Sequence, residues 1–163
     1  MVHLIRVLSK APEETRDLGK RLGRVVSRGD VVALTGDLGS GKSILARGVL
    51  EALGVEGDMP SPSFVIVATY ETPTPVNHID LYRLEDAGQA MDVGIEDLLH
   101  SGDISIVEWA DRLGELLPPS SIRVGIEAAG ERNHRLVSIE ASSLETKTKL
   151  MDLAGSLVRF RRE

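Results

Sequence analysis

The sequence predicts an α/β domain, a mixed and mostly parallel sheet flanked by helices, and three observations carry that prediction. The first is the octapeptide Gly36-Asp37-Leu38-Gly39-Ser40-Gly41-Lys42-Ser43, set between a β-branched apolar run, Val31 to Thr35, and a helical pattern over 44–53 with Leu45, Val49 and Leu53 a turn apart. The second is another apolar run that ends on a carboxylate, Ile104-Ser105-Ile106-Val107-Glu108. The third is a pair of alternating segments, 122–127 and 135–141, that read as antiparallel strands turning over 130–134. Strand, glycine loop and helix in this order are the P-loop arrangement.

The remaining elements follow in chain order. A first strand is expected over 4–8. Pro12 with Glu13 and Glu14 then opens a helix, where proline loses no hydrogen bond and carboxylates meet unpaired N–H groups. Leu18, Leu22, Val25 and Val26 give that helix its apolar face, and Gly29 is expected to end it. Residues 54–62, rich in glycine and proline, form a loop, and 64–70 and 76–80 read as a hairpin around Thr72-Pro73-Thr74-Pro75. Residues 86–100 give two short helices broken at Gly94, and Pro118-Pro119 closes the element after the Glu108 strand. The antiparallel pair near the C-terminus is expected to extend one edge of the sheet. Ser142 and Glu145 form a capping box for a last helix over about 143–162, with Leu150, Met151, Ala154, Leu157 and Val158 on one face.

At 163 residues the chain is one domain, 1–163, long enough to bury a core without staples. There is no cysteine, which excludes disulfides, thiolate metal sites and thiol nucleophiles. The start lacks a signal-peptide core and no apolar run reaches membrane-spanning length, so the expectation is a cytoplasmic protein with no membrane partner. Nineteen Lys and Arg against 25 Asp and Glu, a formal charge of −6, argue against DNA binding or a broad RNA-binding face. The basic tail Arg159-Phe160-Arg161-Arg162 reads as the dipole partner of a last helical turn.

The octapeptide carries the chemistry. Its glycines let the backbone wrap an anion with N–H groups turned inward, and the helix that follows adds the positive end of its dipole. Lys42 is expected to reach the terminal phosphates of a nucleotide, and Ser43 to offer its hydroxyl to Mg²⁺. A second group toward the metal, a carboxylate, is required. Glu108 is the stronger candidate, at the carboxyl end of its strand, and Asp80, closing Val76-Asn77-His78-Ile79-Asp80, is the second. Asp80 has an alternative reading as the cap of the turn over 81–83. Ser61 and Ser63 are the hydroxyls available to sense a γ-phosphate, or are solvent-facing residues of a proline turn. Trp109, the only tryptophan, is expected by strand alternation to point away from Glu108, either into the core or as a lid or partner contact. The four histidines show no metal spacing and receive no role.

The octapeptide, Ser61-Pro62-Ser63-Phe64, His78-Ile79-Asp80-Leu81-Tyr82-Arg83-Leu84 and Val107-Glu108-Trp109 resemble, in order and spacing, the TsaE (YjeE) family of bacterial ATPases. The resemblance spans about 18–117 and implies a P-loop NTPase fold and a role in the threonylcarbamoyl modification of adenosine 37 in tRNA. By that resemblance the chain binds ATP and ADP with Mg²⁺ and hydrolyses ATP slowly while docked on the TsaB–TsaD pair, which it resets for further turnovers. The tRNA is then met only indirectly. The resemblance makes Lys42 the phosphate contact, Ser43 and Glu108 the Mg²⁺ ligands, Asp80 a residue needed for hydrolysis and Trp109 a nucleotide-sensitive aromatic. It places a hydroxyl at Ser63 and suggests Arg132, in the 130–134 turn, near the base. Two departures stand out: Ser63 where the family usually has Thr, and Ala110 where Pro commonly follows the tryptophan.

Three other readings use the same loop. A small-molecule kinase adds an arginine-bearing lid, and residues 86–103 carry neither Lys nor Arg. A GTPase needs an N-K-x-D-type guanine reader, which is missing, and the D-x-x-G string Asp152 to Gly155 falls in the last helix. A binding module that holds ATP without hydrolysing it remains open, because Mg²⁺ ligands serve both tasks.

Overall fold

The run before the glycine loop lies in the interior of a seven-stranded sheet in the computed structural model, which describes residues 2–59 and 66–158. The strands are β1 (His3–Ser9), β2 (Val31–Thr35), β3 (Val67–Tyr70), β4 (Val76–Asp80), β5 (Ile104–Glu108), β6 (Ile122–Ala128) and β7 (Arg135–Ala141), in the spatial order β1-β7-β6-β2-β5-β4-β3. β2 pairs in parallel with β5 and β6, and β4 in parallel with β5, while β1–β7, β6–β7 and β3–β4 are antiparallel. Only β3 and β7 therefore oppose the common direction, and the sheet is mixed and mostly parallel as expected.

Helices cover both faces. Against one face lie α1 (Pro12–Gly23), α2 (Lys42–Ala52) and α5 (Leu144–Val158), whose Leu18, Leu22, Leu45, Val49, Leu150 and Leu153 pack on Leu34, Ile106 and Val124. The other face carries the short helices α3 (Ala87–Asp92) and α4 (Ile95–Leu99) and a 3₁₀ segment, Ala110–Leu116, which close over Ala33, Ile79 and Val107. Burial of β2 and β5 on both faces explains their apolar runs, broken only by the buried Ser105, as a central parallel strand demands. No helix among the described residues is long and apolar enough to cross a membrane.

α1 and α2 meet backbone to backbone. A Cβ built on Gly48 would stand 2.1 Å from the Arg16 carbonyl oxygen, and one on Gly19 would stand 2.2 Å from that of Leu45. Two glycines thus set how closely α1 presses on the helix that carries the phosphate loop.

Four local expectations are corrected. α1 ends at Gly23: the Arg24 N–H bonds to the carbonyls of Lys20 and Arg21, and Val25 and Val26 both bond back to Leu22, which unwinds the helix before Gly29. Gly29 instead lies in the turn where Ser27 N donates to Asp30 Oδ2 at 2.8 Å. The β6–β7 hairpin is interior, since β1 zips onto β7 from His3↔Ala141 to Ser9↔Arg135 and takes the edge itself. α5 is capped by Ser143, whose Oγ accepts from Thr146 N at 3.2 Å, because the Ser142 hydroxyl is committed to the Pro119 carbonyl. Its buried face runs through Thr146, Leu150, Leu153 and Leu157, and Met151 points to solvent. The expected tail of that helix beyond 158 lies outside the described residues.

Candidate functional site

Gly41 turns the glycine loop into α2 with a φ of 109°, a left-handed conformation that a side chain would strain. Lys42, the first residue of α2, is 5% exposed and reaches back along the loop. Its Nζ donates to the carbonyls of Gly36 at 2.6 Å and Asp37 at 2.8 Å and stands 3.4 Å from Ser40 Oγ. Burial lowers the Lys42 pKa from the ordinary lysine value, and the carboxylates of Glu108, Asp80, Asp111 and Asp37 oppose that shift.

Ser43 comes next, and its Oγ donates to Glu108 Oε1 at 2.8 Å. The contact follows from topology: β5 ends on Glu108 directly beside β2, so its carboxylate meets the start of the helix that β2 feeds. The parallel register also sets Asp80 opposite Glu108, which brings both carboxylates to the carboxyl ends of neighbouring strands. Asp80 Oδ1 accepts from Tyr82 N at 2.9 Å, so it caps the following turn and lines the cleft at once.

The sequence reading missed His78. Its Nε2 lies 2.6 Å from Glu108 Oε2, inside the protein, while its Nδ1 has no partner among the described residues. The signal was alternation: His78 and Asp80 are two apart on β4 and share the face on which Glu108 stands.

Trp109 reverses the expected direction. It adopts a left-handed conformation, φ 57°, at the end of β5, and so breaks the alternation that would have carried its ring away from Glu108. The Lys42 ammonium lies 4.2 Å from the ring centroid, the Arg112 guanidinium 5.3 Å from it, and the Tyr82 ring 5.2 Å away. Loop, Asp80, Tyr82, Glu108 and Trp109 together enclose a cleft of about 370 Å³.

Ser61 and Ser63 lie outside the described residues. Arg132 is exposed in the turn over 130–134 and does not line the cleft. Its carbonyl accepts from Arg135. Toward a metal the chain offers Ser43 Oγ and a Glu108 oxygen, with no cluster of three or more His, Asp or Glu among the described residues. Two hard oxygens suit Mg²⁺, which takes its remaining ligands from phosphate and water, and do not make a self-sufficient cage for Ca²⁺ or Zn²⁺.

The family model described as "Threonylcarbamoyl adenosine biosynthesis protein TsaE" matches residues 9–137, from the end of β1 to the middle of β7. The chain belongs to the TsaE family. A relative from Bacillus subtilis, a tRNA threonylcarbamoyladenosine biosynthesis protein TsaE, is 36% identical over 121 residues, 74% of this chain and 75% of its own length. A protein of the same name from Rickettsia felis is 36% identical over 136 residues, covering 82% of this chain and 78% of the relative. That of Treponema pallidum is 26% identical over 132 residues, 81% and 98%. Among solved structures, that of Bacillus subtilis YdiB superposes with a TM-score of 0.82 at 28% identity, over 96% of this chain and 97% of that one. The family match takes in the loop, His78, Asp80, Glu108 and Trp109, and ties the chain to biosynthesis of threonylcarbamoyladenosine in tRNA.

Proposed function

We propose that the chain is an ATP-binding, Mg²⁺-dependent ATPase subunit that acts on the TsaB–TsaD pair during threonylcarbamoyladenosine formation, in the cytoplasm. The observation that carries this reading is the 2.8 Å contact between Ser43 Oγ and Glu108 Oε1. A hydroxyl at the start of the phosphate-loop helix and a carboxylate on the neighbouring parallel strand supply a pair of oxygens for Mg²⁺ beside the place where phosphates sit.

Each residue then has a task set by its position. Backbone N–H groups of the loop and the α2 dipole hold the phosphate chain. Lys42 exchanges its two loop carbonyls for phosphate oxygens, and desolvation makes its charge count for more there than it would in water. Ser43 and Glu108 hold Mg²⁺, which when bound neutralises charge on the β- and γ-phosphates. Asp80, in register with Glu108, then orients the attacking water, and Trp109 roofs the cleft over the Lys42 ammonium. A subunit that works through protein partners has no need of an RNA-binding face, which accords with the charge of −6.

The test is phosphate release from the purified chain, alone and with TsaB and TsaD. Slow release alone, stimulated by the pair and abolished in Lys42→Ala and Glu108→Ala, is expected. Tight ATP binding with no release in either condition would replace hydrolysis by the binding-module reading.

A further inference from the structure

We infer that Arg135 is a positioning residue for the phosphate loop, a guanidinium that turns the Ser40–Gly41 peptide so that the Gly41 N–H faces the bound phosphate. The inference rests on the nucleotide-binding reading above and adds to it a residue outside the loop.

Arg135 opens β7, is half-buried and does not line the cleft, whose carboxylates come from β4 and β5 on the other side of β2 in the sheet order. Its Nε donates to the Ser40 carbonyl at 3.0 Å, and its Nη2 stands 3.5 Å from the Gly39 carbonyl. Nη1 is occupied on the other side, donating to the carbonyls of Arg132 at 3.0 Å and His134 at 2.9 Å. The fork is thus fixed by its own turn before it meets the loop. In a trans peptide C=O and N–H point to opposite sides, so a donor that holds the Ser40 oxygen fixes the direction of the Gly41 N–H on the other side. Lys42 takes the Gly36 and Asp37 carbonyls, and Arg135 takes those of Ser40 and Gly39. Arg135 thus keeps two carbonyls that would repel an anion occupied, while Lys42 is left to exchange its own for phosphate oxygens. Lysine cannot replace Arg135, since only a planar fork reaches the turn and the loop together.

The experiment is calorimetric titration of the full chain with inorganic tripolyphosphate and Mg²⁺, with the Gly41 amide followed by NMR. The wild type is expected to bind and its Gly41 resonance to shift. Arg135→Ala and Arg135→Lys should each bind about ten- to a hundredfold more weakly, the loss expected of hydrogen bonds from a charged donor. Millimolar free guanidinium should restore binding to Arg135→Ala and leave Arg135→Lys unchanged, which a purely structural defect would not do. Wild-type affinity in Arg135→Lys, or no restoration in a folded Arg135→Ala, overturns the inference. If Arg135→Ala does not fold, Arg135→Lys and its Gly41 resonance decide. A wild type that takes up no tripolyphosphate brings down the nucleotide-binding reading itself, whereas a wild type and both variants that bind alike bring down only the role of Arg135.

Discussion

His78 holds the Glu108 carboxylate from one side, Nε2 to Oε2 at 2.6 Å, and leaves Oε1 to the Ser43 hydroxyl. Glu108 is 2% exposed, so both of its oxygens are satisfied inside the protein and its orientation is set before any ligand arrives. Removing His78 strips one oxygen of its donor. His78→Ala is expected to cost about 1–3 kcal/mol of stability and to raise the Mg²⁺ concentration needed for half-maximal phosphate release by more than it raises the ATP concentration needed. Glu108→Gln, which keeps the shape and loses the charge, should abolish Mg²⁺-dependent release. A urea titration and paired Mg²⁺ and ATP titrations check both, and a His78→Ala protein with an unchanged Mg²⁺ midpoint would remove His78 from the site.

Trp109 is the only tryptophan, so the protein's indole emission reports one place. The Lys42 ammonium lies over that ring, and a polyphosphate that draws the ammonium away alters the ring's surroundings. ATP is expected to change Trp109 emission in the wild type and leave it unchanged in Lys42→Ala. Calorimetric binding of ATP with constant emission would place the ring outside the nucleotide's reach.

Local chemistry made most of this legible in the sequence. The octapeptide, its flanking strand and helix and the carboxylate-terminated run each encode their own geometry, and Asp80 and Glu108 converge because parallel strands in register must end side by side. What stayed hidden depends on contacts between distant segments. β1 joins β7 across more than a hundred residues, and no local pattern announces that pairing. Ser142 has the right spacing to cap α5 but spends its hydroxyl on Pro119, so Ser143 takes the task. The direction of Trp109 turns on a single left-handed residue that alternation cannot foresee. His78 is within reach of alternation, but a lone histidine on an apolar strand carries no metal spacing to single it out.

Burial lowers the Lys42 pKa, and the sign of its effect on stability follows. Below the lowered value both folded and unfolded chains carry the proton, and the full cost of burying the charge stands. Above the ordinary lysine value of 10.5 neither carries it and that cost is gone. The stability of the wild type relative to Lys42→Met is therefore expected to rise with pH through the window that ends near 10.5. Urea midpoints of the two proteins at several alkaline pH values measure the difference, and a flat or falling difference would contradict the burial of the ammonium.

The contact of α1 with α2 makes the sharpest contrast between glycines. A methyl at Gly48 would meet the Arg16 carbonyl oxygen at 2.1 Å, so Gly48→Ala must push the helices apart, at a cost of about 1–3 kcal/mol typical of overpacking. The displacement is not confined to the core, because α2 begins at Lys42 and carries the loop on its first turn. Gly48→Ala is thus expected to lower the urea midpoint and to weaken tripolyphosphate binding together. Gly155, within α5, has no atom of another element of the described residues within 4 Å of where its methyl would sit, and Gly155→Ala should raise stability by about 0.4–1 kcal/mol with binding unchanged. Equal effects of the two substitutions would mean that the close approach of α1 to α2 does not position the loop.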